Sequence, residues 1–136
     1  MKNPLKRVLI IDDDEINNFI CIKNMKEIQF AEHVSYCLRA DEGLRELTEA
    51  LQHRPEDIPD VIFLDINMPS MNAWEFLQEY KKMVESFPKP VMLFILSSSV
   101  YRKDIERSVN HDTVSDYIIK PLTREILLQI KENYFH

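Results

Sequence analysis

Glycine is nearly absent from this sequence, and its scarcity excludes one class of binding site. Gly43 is the only glycine among 136 residues. The common nucleotide-binding signatures carry several glycines at fixed spacing, because the backbone of their loop has to approach a phosphate closely. The sequence therefore excludes a glycine-rich phosphate loop.

Cysteine is scarce as well, since Cys21 and Cys37 are the only two. They do not have the paired spacing of a zinc site, and no matching histidine pattern accompanies them. Disulfides are rare in cytosolic proteins, where thiols are kept reduced. We therefore expect two reduced thiols in a cytoplasmic protein.

The N-terminus lacks a long hydrophobic run, and the chain as a whole lacks an excess of positive charge. Four apolar residues, at positions 8–11, precede the first aspartate. A signal peptide requires an apolar stretch of roughly 7–15 residues, and a membrane span requires roughly 20. The net charge is −6, whereas nucleic-acid-binding domains are typically basic. We expect neither a membrane nor a nucleic acid as a partner.

The sequence does contain enough apolar residues for a core, 45% of a chain with the length of one domain. Its short apolar runs do not alternate with polar residues, which is typical of parallel strands covered on both faces. Each run is followed by a helical pattern, and five such β-α units predict a doubly wound α/β sheet with five parallel strands and five helices. The predicted strands are Arg7–Ile11, His33–Cys37, Val61–Leu64, Val91–Leu96 and Tyr117–Ile119.

Apolar residues at helical spacing mark the face that each predicted helix buries. The first helix is expected to bury Ile16, Phe19, Ile20 and Met25. The last helical pattern runs to the end of the chain, and we therefore predict a single domain, residues 1–136, without an output domain. The other four stripes are Leu44, Leu47 and Leu51; Ala73, Phe76, Leu77, Tyr80 and Val84; Tyr101, Ile105 and Val109; and Ile126, Leu127, Ile130 and Tyr134.

Polar residues follow four of the predicted strands. Asp12 and Asp13 follow the first strand, Asp65 the third, Ser97 the fourth and Lys120 the fifth. In an open α/β sheet, ligands bind in the crevice beyond the carboxyl ends of the strands. We therefore expect these side chains to meet at one edge of the sheet.

Three carboxylates that converge within a few ångströms do not all stay ionised unaided, and a divalent cation removes the conflict. Carboxylate and carbonyl oxygens, without cysteine or histidine nearby, suit Mg²⁺. Asp14 is interpreted as the N-cap of the first helix. Taken singly, the acidic triplet could also be a cap with solvated charges, and Asp65 could be a turn residue. Their joint occurrence at successive strand ends favours the metal site.

Four segments of the chain, IIDDDEIN, LDINMPSMNAWEFL, ILSSS and DYIIKPL, occur in the order and spacing of a known family. With them, essentially the whole chain resembles the receiver domain of two-component response regulators, in the single-domain CheY-like class. The resemblance implies a flavodoxin-like fold with strand order 2-1-3-4-5. It also implies that Asp65 is the phosphoacceptor and that Asp12 and Asp13 seat Mg²⁺.

The resemblance assigns further roles by position. It implies that the backbone carbonyl of Asn67 also binds the metal, and that Ser97 forms a hydrogen bond with the phosphoryl group. Lys120 is the implied partner of that group, and Tyr117 the implied aromatic switch residue. Ala73 stands where the family usually has glycine, which predicts a slightly different entry to the third helix.

The function implied is a phosphorylation-dependent signalling switch. It receives the phosphoryl group from a sensor histidine kinase or a His-phosphotransfer protein, and it signals to an unknown downstream protein by contact or by phosphorelay. The resemblance implies that the protein is not an enzyme, except that it catalyses its own phosphorylation and dephosphorylation. A homodimer formed through the switch face is left open.

Two other functions agree less well with the sequence. A phosphatase of the haloacid-dehalogenase type also forms an aspartyl-phosphate, but it requires a second aspartate two residues after the nucleophile, where this chain has Asn67. A degenerate receiver that serves only as an interaction module would not need all the functional positions, which are occupied here.

Overall fold

The computed structural model describes residues 4–66, 68 and 71–135. Strands and helices alternate along the chain, as the apolar patterns predict. The strands are β1 (Leu5–Ile11), β2 (Ala31–Cys37), β3 (Val61–Leu64), β4 (Met92–Ser97) and β5 (Asp116–Ile119). The helices are α1 (Glu15–Glu27), α2 (Ala40–His53), α3 (Ala73–Met83), α4 (Arg102–Val109) and α5 (Arg124–Tyr134), with short 3₁₀ helices at Pro55–Asp57 and Val84–Ser86.

The five strands form one parallel sheet in the order β2-β1-β3-β4-β5. This confirms the predicted doubly wound architecture and the 2-1-3-4-5 order. The strand boundaries differ from the prediction by at most two residues, and β3 has the predicted bounds. Within the described part of the chain, no helix combines the length and the hydrophobicity that crossing a membrane requires.

Helices cover both faces of the sheet, because successive residues of a strand point to opposite faces. Leu9 and Ile11 of β1 pack with α2 and α3, whereas Val8 and Ile10 pack with α1 and α5. Gly43 of α2 lies against Ile11 of β1: a Cβ atom there would be 2.5 Å from Cδ1 of Ile11. The one glycine therefore allows close helix–strand packing.

The predicted face of the first helix is wrong. Ile16, Phe19 and Ile20 are exposed, to 74%, 70% and 48%, and of the predicted stripe Met25 alone is buried. The face that α1 turns to the sheet carries Asn18 and Cys21 together with Met25. Because the polar residue Asn18 is part of the buried face, the spacing of apolar residues did not reveal that face. The apolar residues of the exposed face predicted the wrong one.

The predicted stripe of the fourth helix is also largely solvent-facing. Tyr101 precedes α4 and is exposed, and Val109 is exposed to 48%. The buried residue of α4 is Ser108, whose hydroxyl donates to the carbonyl of Asp104 at 2.8 Å. A hydroxyl satisfied within its own helix can be buried at low cost, and periodicity of apolar residues does not reveal it.

Candidate functional site

The carboxyl ends of the strands bring the acidic residues to one edge of the sheet. Asp12 follows β1, and Asp65 follows the neighbouring β3. The backbone N–H of Asp12 donates to the carbonyl of Cys37 at 3.0 Å, and that of Asp65 to the carbonyl of Ile11 at 2.9 Å. These bonds extend the strand ladders by one residue, so the backbone of both aspartates is fixed by the sheet.

Three carboxylates converge at this edge. One oxygen from each of Asp12, Asp13 and Asp65 lies within 4.8 Å of the other two. Asp12 is buried, Asp65 is half-buried and Asp13 is exposed. Like charges this close repel one another, and a divalent cation with oxygen ligands relieves the repulsion. The donor set fits Mg²⁺, which takes few protein ligands and keeps several waters.

The environment of Asp65 disfavours its charged form. Burial of its carboxyl group, and secondly the charge of Asp12, raise the pKa of Asp65 to about 6, while the charge of Lys120 acts in the opposite direction. A carboxyl group with such a pKa is mostly ionised at pH 7. Additional positive charge near Asp65 would nevertheless stabilise the ionised form of its carboxyl group.

Lys120, directly after β5, supplies one such charge. Its Nζ lies 2.8 Å from Oδ2 of Asp12. Burial lowers the pKa of Lys120, but the hydrogen bond to Asp12 and the charges of Asp12 and Asp65 outweigh burial, so the pKa is raised. The lysine therefore remains an ammonium group at the edge where the carboxylates meet.

The start of α1 is bound to Asp12 by two asparagines that sequence reasoning missed. The side-chain amide of Asn17 donates to Oδ2 of Asp12 at 3.0 Å, and that of Asn18 donates to the carbonyl of Asp12 at 2.9 Å. Asp14 caps the helix as predicted, accepting a hydrogen bond from the backbone N–H of Asn17 at 3.1 Å. The signal available in the sequence was their spacing: both asparagines lie in the first turn after the acidic residues.

The loop after β4 connects Ser97 with Tyr117. Ser97 is buried at the end of β4, and its Oγ accepts a hydrogen bond from the backbone N–H of Ser99 at 3.1 Å. The hydroxyl of Tyr117 donates to the carbonyl of Ser99 at 2.7 Å. The side chain of Ser99 in turn donates to Asp104 of α4 at 2.9 Å. Ser99 is therefore the common neighbour of the two predicted switch residues and of α4.

The start of α3 lies beside the same edge. Asn72 and Glu75 form a reciprocal capping box, and Ala73, the first helical residue, is fully buried. The ring of Trp74 stacks against the guanidinium of Arg107 from α4, at 4.2 Å from the ring centroid. This contact joins α3 to α4.

The structure thus brings Asp12, Asp13, Asp65 and Lys120 together, and it links the half-buried Tyr117 to the loop that begins at Ser97. Asn67, the predicted backbone ligand, lies outside the described residues. The catalytic, metal-binding and switch roles of these residues stay predictions.

A comparison with protein families agrees with this arrangement. Residues 8–132 match the family described as the response regulator receiver domain. The chain belongs to this family. Receiver domains act in phosphorylation-dependent two-component signalling, as switches rather than as classical enzymes.

Two curated relatives illustrate the sequence similarity of the receiver domain. This chain is 29% identical over 124 residues to the two-component response regulator ARR14 of Arabidopsis thaliana, and the match covers 91% of this chain and 29% of the relative. It is 35% identical over 88 residues to the histidine kinase CKI1 of the same organism, covering 60% of this chain and 8% of the kinase. The chain therefore spans a small part of either relative, and the predicted single-domain organisation stays a prediction.

Solved structures show the same fold. A two-component response regulator from Cytophaga hutchinsonii superimposes with a TM-score of 0.86 at 28% identity, covering 96% of both chains. The receiver domain of CKI1, in a structure complexed with Mg²⁺, superimposes with a TM-score of 0.79 at 25% identity, covering 93% of this chain and 90% of that one.

Proposed function

We propose that Asp65 accepts a phosphoryl group from a sensor histidine kinase or a His-phosphotransfer protein, in a reaction that requires Mg²⁺ held by Asp12, Asp13 and Asp65. The observation that carries this proposal is the approach of the three carboxylates to within 4.8 Å of one another, beside the ammonium group of Lys120. The Mg²⁺ complex of the CKI1 receiver domain supports the choice of metal.

The chemistry is a phosphoryl transfer to a carboxylate. An oxygen of Asp65 attacks the phosphorus atom, a P–O bond forms, and the P–N bond to the donor histidine breaks, leaving the imidazole with the bonding electron pair. Attack by an anion on an anionic group requires positive charge around the transferred oxygens. Lys120 lies close enough to Asp65 to raise the stability of its charged form, and it can pair with the phosphoryl oxygens. Mg²⁺ held by Asp12, Asp13 and Asp65 would supply the remaining positive charge.

The switch follows from the contacts of Ser99. Because the Oγ of Ser97 accepts the backbone N–H of Ser99, its own proton remains available for a phosphoryl oxygen on Asp65. A turn of Ser97 towards that oxygen weakens its bond to Ser99, whose carbonyl holds Tyr117. Phosphorylation thereby changes the surface of α4, β5 and α5. A tenfold change in population needs about 1.4 kcal/mol of differential binding.

An exposed apolar patch next to the acidic edge supports a protein as the donor. Ile16, Phe19 and Ile20 on the first turns of α1 are exposed, and they follow closely after Asp12 and Asp13, which would hold the metal. A partner that delivers its phosphohistidine to Asp65 would cover this patch, and the burial of apolar side chains would stabilise the encounter. We therefore place the docking face of the donor on α1.

The compartment and the extent of catalysis complete the proposal. Cys21 and Cys37 are both free thiols, and they lie in hydrophobic clusters on opposite faces of the sheet, so they are not placed to form a disulfide. Free thiols are typical of the cytoplasm, where we place this domain. Its catalysis is limited to its own phosphorylation and dephosphorylation, and its output is contact with another protein or transfer of the phosphoryl group onward.

Labelling with a small phosphodonor tests the proposal. Incubation with acetyl phosphate and Mg²⁺, followed by mass spectrometry under conditions that preserve acyl phosphates, should add one phosphoryl group to the wild type. Omitting the metal should abolish the label because Lys120 alone does not neutralise the charge of the transferred group. Asp65→Asn should abolish it because the nucleophile is removed. Asp112→Asn is the matched control, since Asp112 is exposed and pairs only with Lys81 among the ion pairs of the described residues. An unmodified wild type, or a label that persists in Asp65→Asn, contradicts the proposal.

A further inference from the structure

The carboxylate of Asp12 is held by three donors, and each occupies a defined oxygen. The backbone N–H of Asp14 donates to Oδ1 at 2.9 Å. The side-chain amide of Asn17 donates to Oδ2 at 3.0 Å, and the ammonium group of Lys120 lies 2.8 Å from the same oxygen. A carboxylate offers about four acceptor sites, two on each oxygen. Oδ2 is therefore fully used, and the remaining acceptor site of this buried group is on Oδ1.

We propose that Asn17 is a positioning residue for the metal: its amide fixes Oδ2 of Asp12 so that the other oxygen faces the ion. This inference rests on the proposed metal site of Asp12, Asp13 and Asp65. Groups that orient a ligating carboxylate typically change metal affinity by about 10–100-fold when removed, although they do not touch the ion.

The position of Asn17 makes its amide a rigid donor. Its backbone N–H donates to the capping carboxylate of Asp14, while its side chain reaches Asp12. Asn17 lies in the first turn of α1 and is therefore tied to two aspartates of the segment that precedes the helix. Little side-chain entropy remains to be lost when the carboxylate engages a cation, and this is the advantage of a donor fixed in advance.

Asn17 also complements Lys120. Under the proposed function, Lys120 has to pair with the phosphoryl group on Asp65, and it cannot then keep its full contact with Oδ2 of Asp12. Asn17 is neutral and fixed to the helix, so it remains on Oδ2 when the lysine turns away. The asparagine thereby keeps the orientation of Asp12 constant through both stages of the reaction.

Isothermal titration of Mg²⁺ into the metal-free protein tests this role. In Asn17→Ala and in Asn17→Leu, which keeps the volume but not the donor, the Mg²⁺ dissociation constant should rise about tenfold. Asn17→Gln retains an amide on a longer side chain and should recover part of the affinity. The Mg²⁺ concentration that gives half-maximal acetyl phosphate labelling should rise in Asn17→Ala and Asn17→Leu by the same factor as the dissociation constant, because Asn17 acts through the metal ligand Asp12.

Asn24→Ala is the matched control, since Asn24 lies on the same helix and its amide donates to the carbonyl of Leu122 rather than to an aspartate. Its Mg²⁺ affinity should equal that of the wild type, and circular dichroism should show the same metal-free fold for all variants. Equal or tighter Mg²⁺ binding in Asn17→Ala, with normal binding in the wild type, overturns the positioning role alone. A wild type that does not bind Mg²⁺ overturns the proposed function itself.

Discussion

At the scale of single residues, the ionised carboxyl group of Asp65 lowers the folding stability of the metal-free protein. Its pKa is raised from 3.8 to about 6, mainly by burial and then by Asp12. A raised carboxyl pKa means that the folded state binds a proton more tightly than the unfolded state does. Its contribution to folding is therefore most favourable at low pH, and it is lost as the pH rises through 6. At neutral pH the proposed phosphoacceptor therefore destabilises the fold.

Asp65→Asn should therefore stabilise the metal-free protein at pH 7.5. The shift corresponds to at most about 3 kcal/mol, and partial solvent exposure of the carboxyl group reduces the expected gain to about 1–2 kcal/mol. Chemical unfolding in the presence of a chelator measures the gain, which should shrink as the pH falls from 7.5 to 4.5.

Added Mg²⁺ provides the reverse test of the same residue. It should stabilise the wild type more than Asp65→Asn, because the cation offsets the repulsion among three carboxylates in the wild type and between only two in the variant. A variant no more stable than the wild type at pH 7.5, or a gain independent of pH, would show that burial of Asp65 is not costly.

At the scale of elements, α1 has two tasks on opposite faces. One face holds Asn18 and Met25 against the sheet, and the other exposes Ile16 and Phe19 beside the aspartates. Apolar residues that are exposed on a short helix contribute little to folding, and their clustering is typical of a contact surface. The helix therefore supports Asp12 from within, and we propose that its exposed apolar face contacts the phosphoryl donor.

Phe19→Ala should slow phosphoryl transfer from a protein donor without affecting labelling by acetyl phosphate. The side chain is 70% exposed, so the free energy of unfolding should change by less than about 0.5 kcal/mol. A cognate phosphohistidine protein, in a time course at subsaturating concentration, would provide the measurement. Val109→Ala on α4, also an exposed apolar residue, is the control for loss of surface hydrophobicity; an equal loss in both variants would argue against docking on α1.

At the scale of the whole molecule, the two ends of the sheet use aspartate differently. Asp60, just before β3, accepts the backbone N–H groups of Lys6 and Arg7 at 2.9 and 3.3 Å, and Lys89 lies 2.8 Å from its other oxygen. Each of its oxygens already has a protein donor. Asp12 at the opposite end also has a donor on each oxygen, but one of its oxygens lies within 4.8 Å of two further carboxylates. The crowding of carboxylates, and not the number of donors, therefore distinguishes the proposed metal site from Asp60.

Asp60→Ala should lower the free energy of unfolding by about 2 kcal/mol, because it leaves two backbone donors and a half-buried lysine without their partner. Urea unfolding measures the loss, and Mg²⁺ affinity should stay at the wild-type value. Asp112→Ala removes an exposed ion pair with Lys81 and should change stability little. A variant of Asp60 that loses Mg²⁺ binding while folded would contradict the division between the two ends.

The sequence predicted the sheet well because its strands are short uninterrupted apolar runs, such as Val61–Leu64. A run of this kind is typical of a strand buried on both faces of a sheet. The convergence of Asp12 and Asp65 followed from topology, since parallel strands present their carboxyl ends at one edge. The buried face of α1 could not be predicted, because Asn18 is buried through its hydrogen bond to the carbonyl of Asp12. The contacts of Asn17 and Ser99 depend on distances between side chains, and the spacing of apolar residues along the sequence gives no information about those distances.

The stacking of Arg107 on Trp74 has a practical consequence. Trp74 is the only tryptophan of the chain, and its indole ring on α3 senses a cation carried by α4. Any displacement of one helix relative to the other alters the electric field at the ring, and hence the wavelength and intensity of its emission. The protein therefore contains its own optical probe, with which the conformational response could be followed in real time without an attached dye.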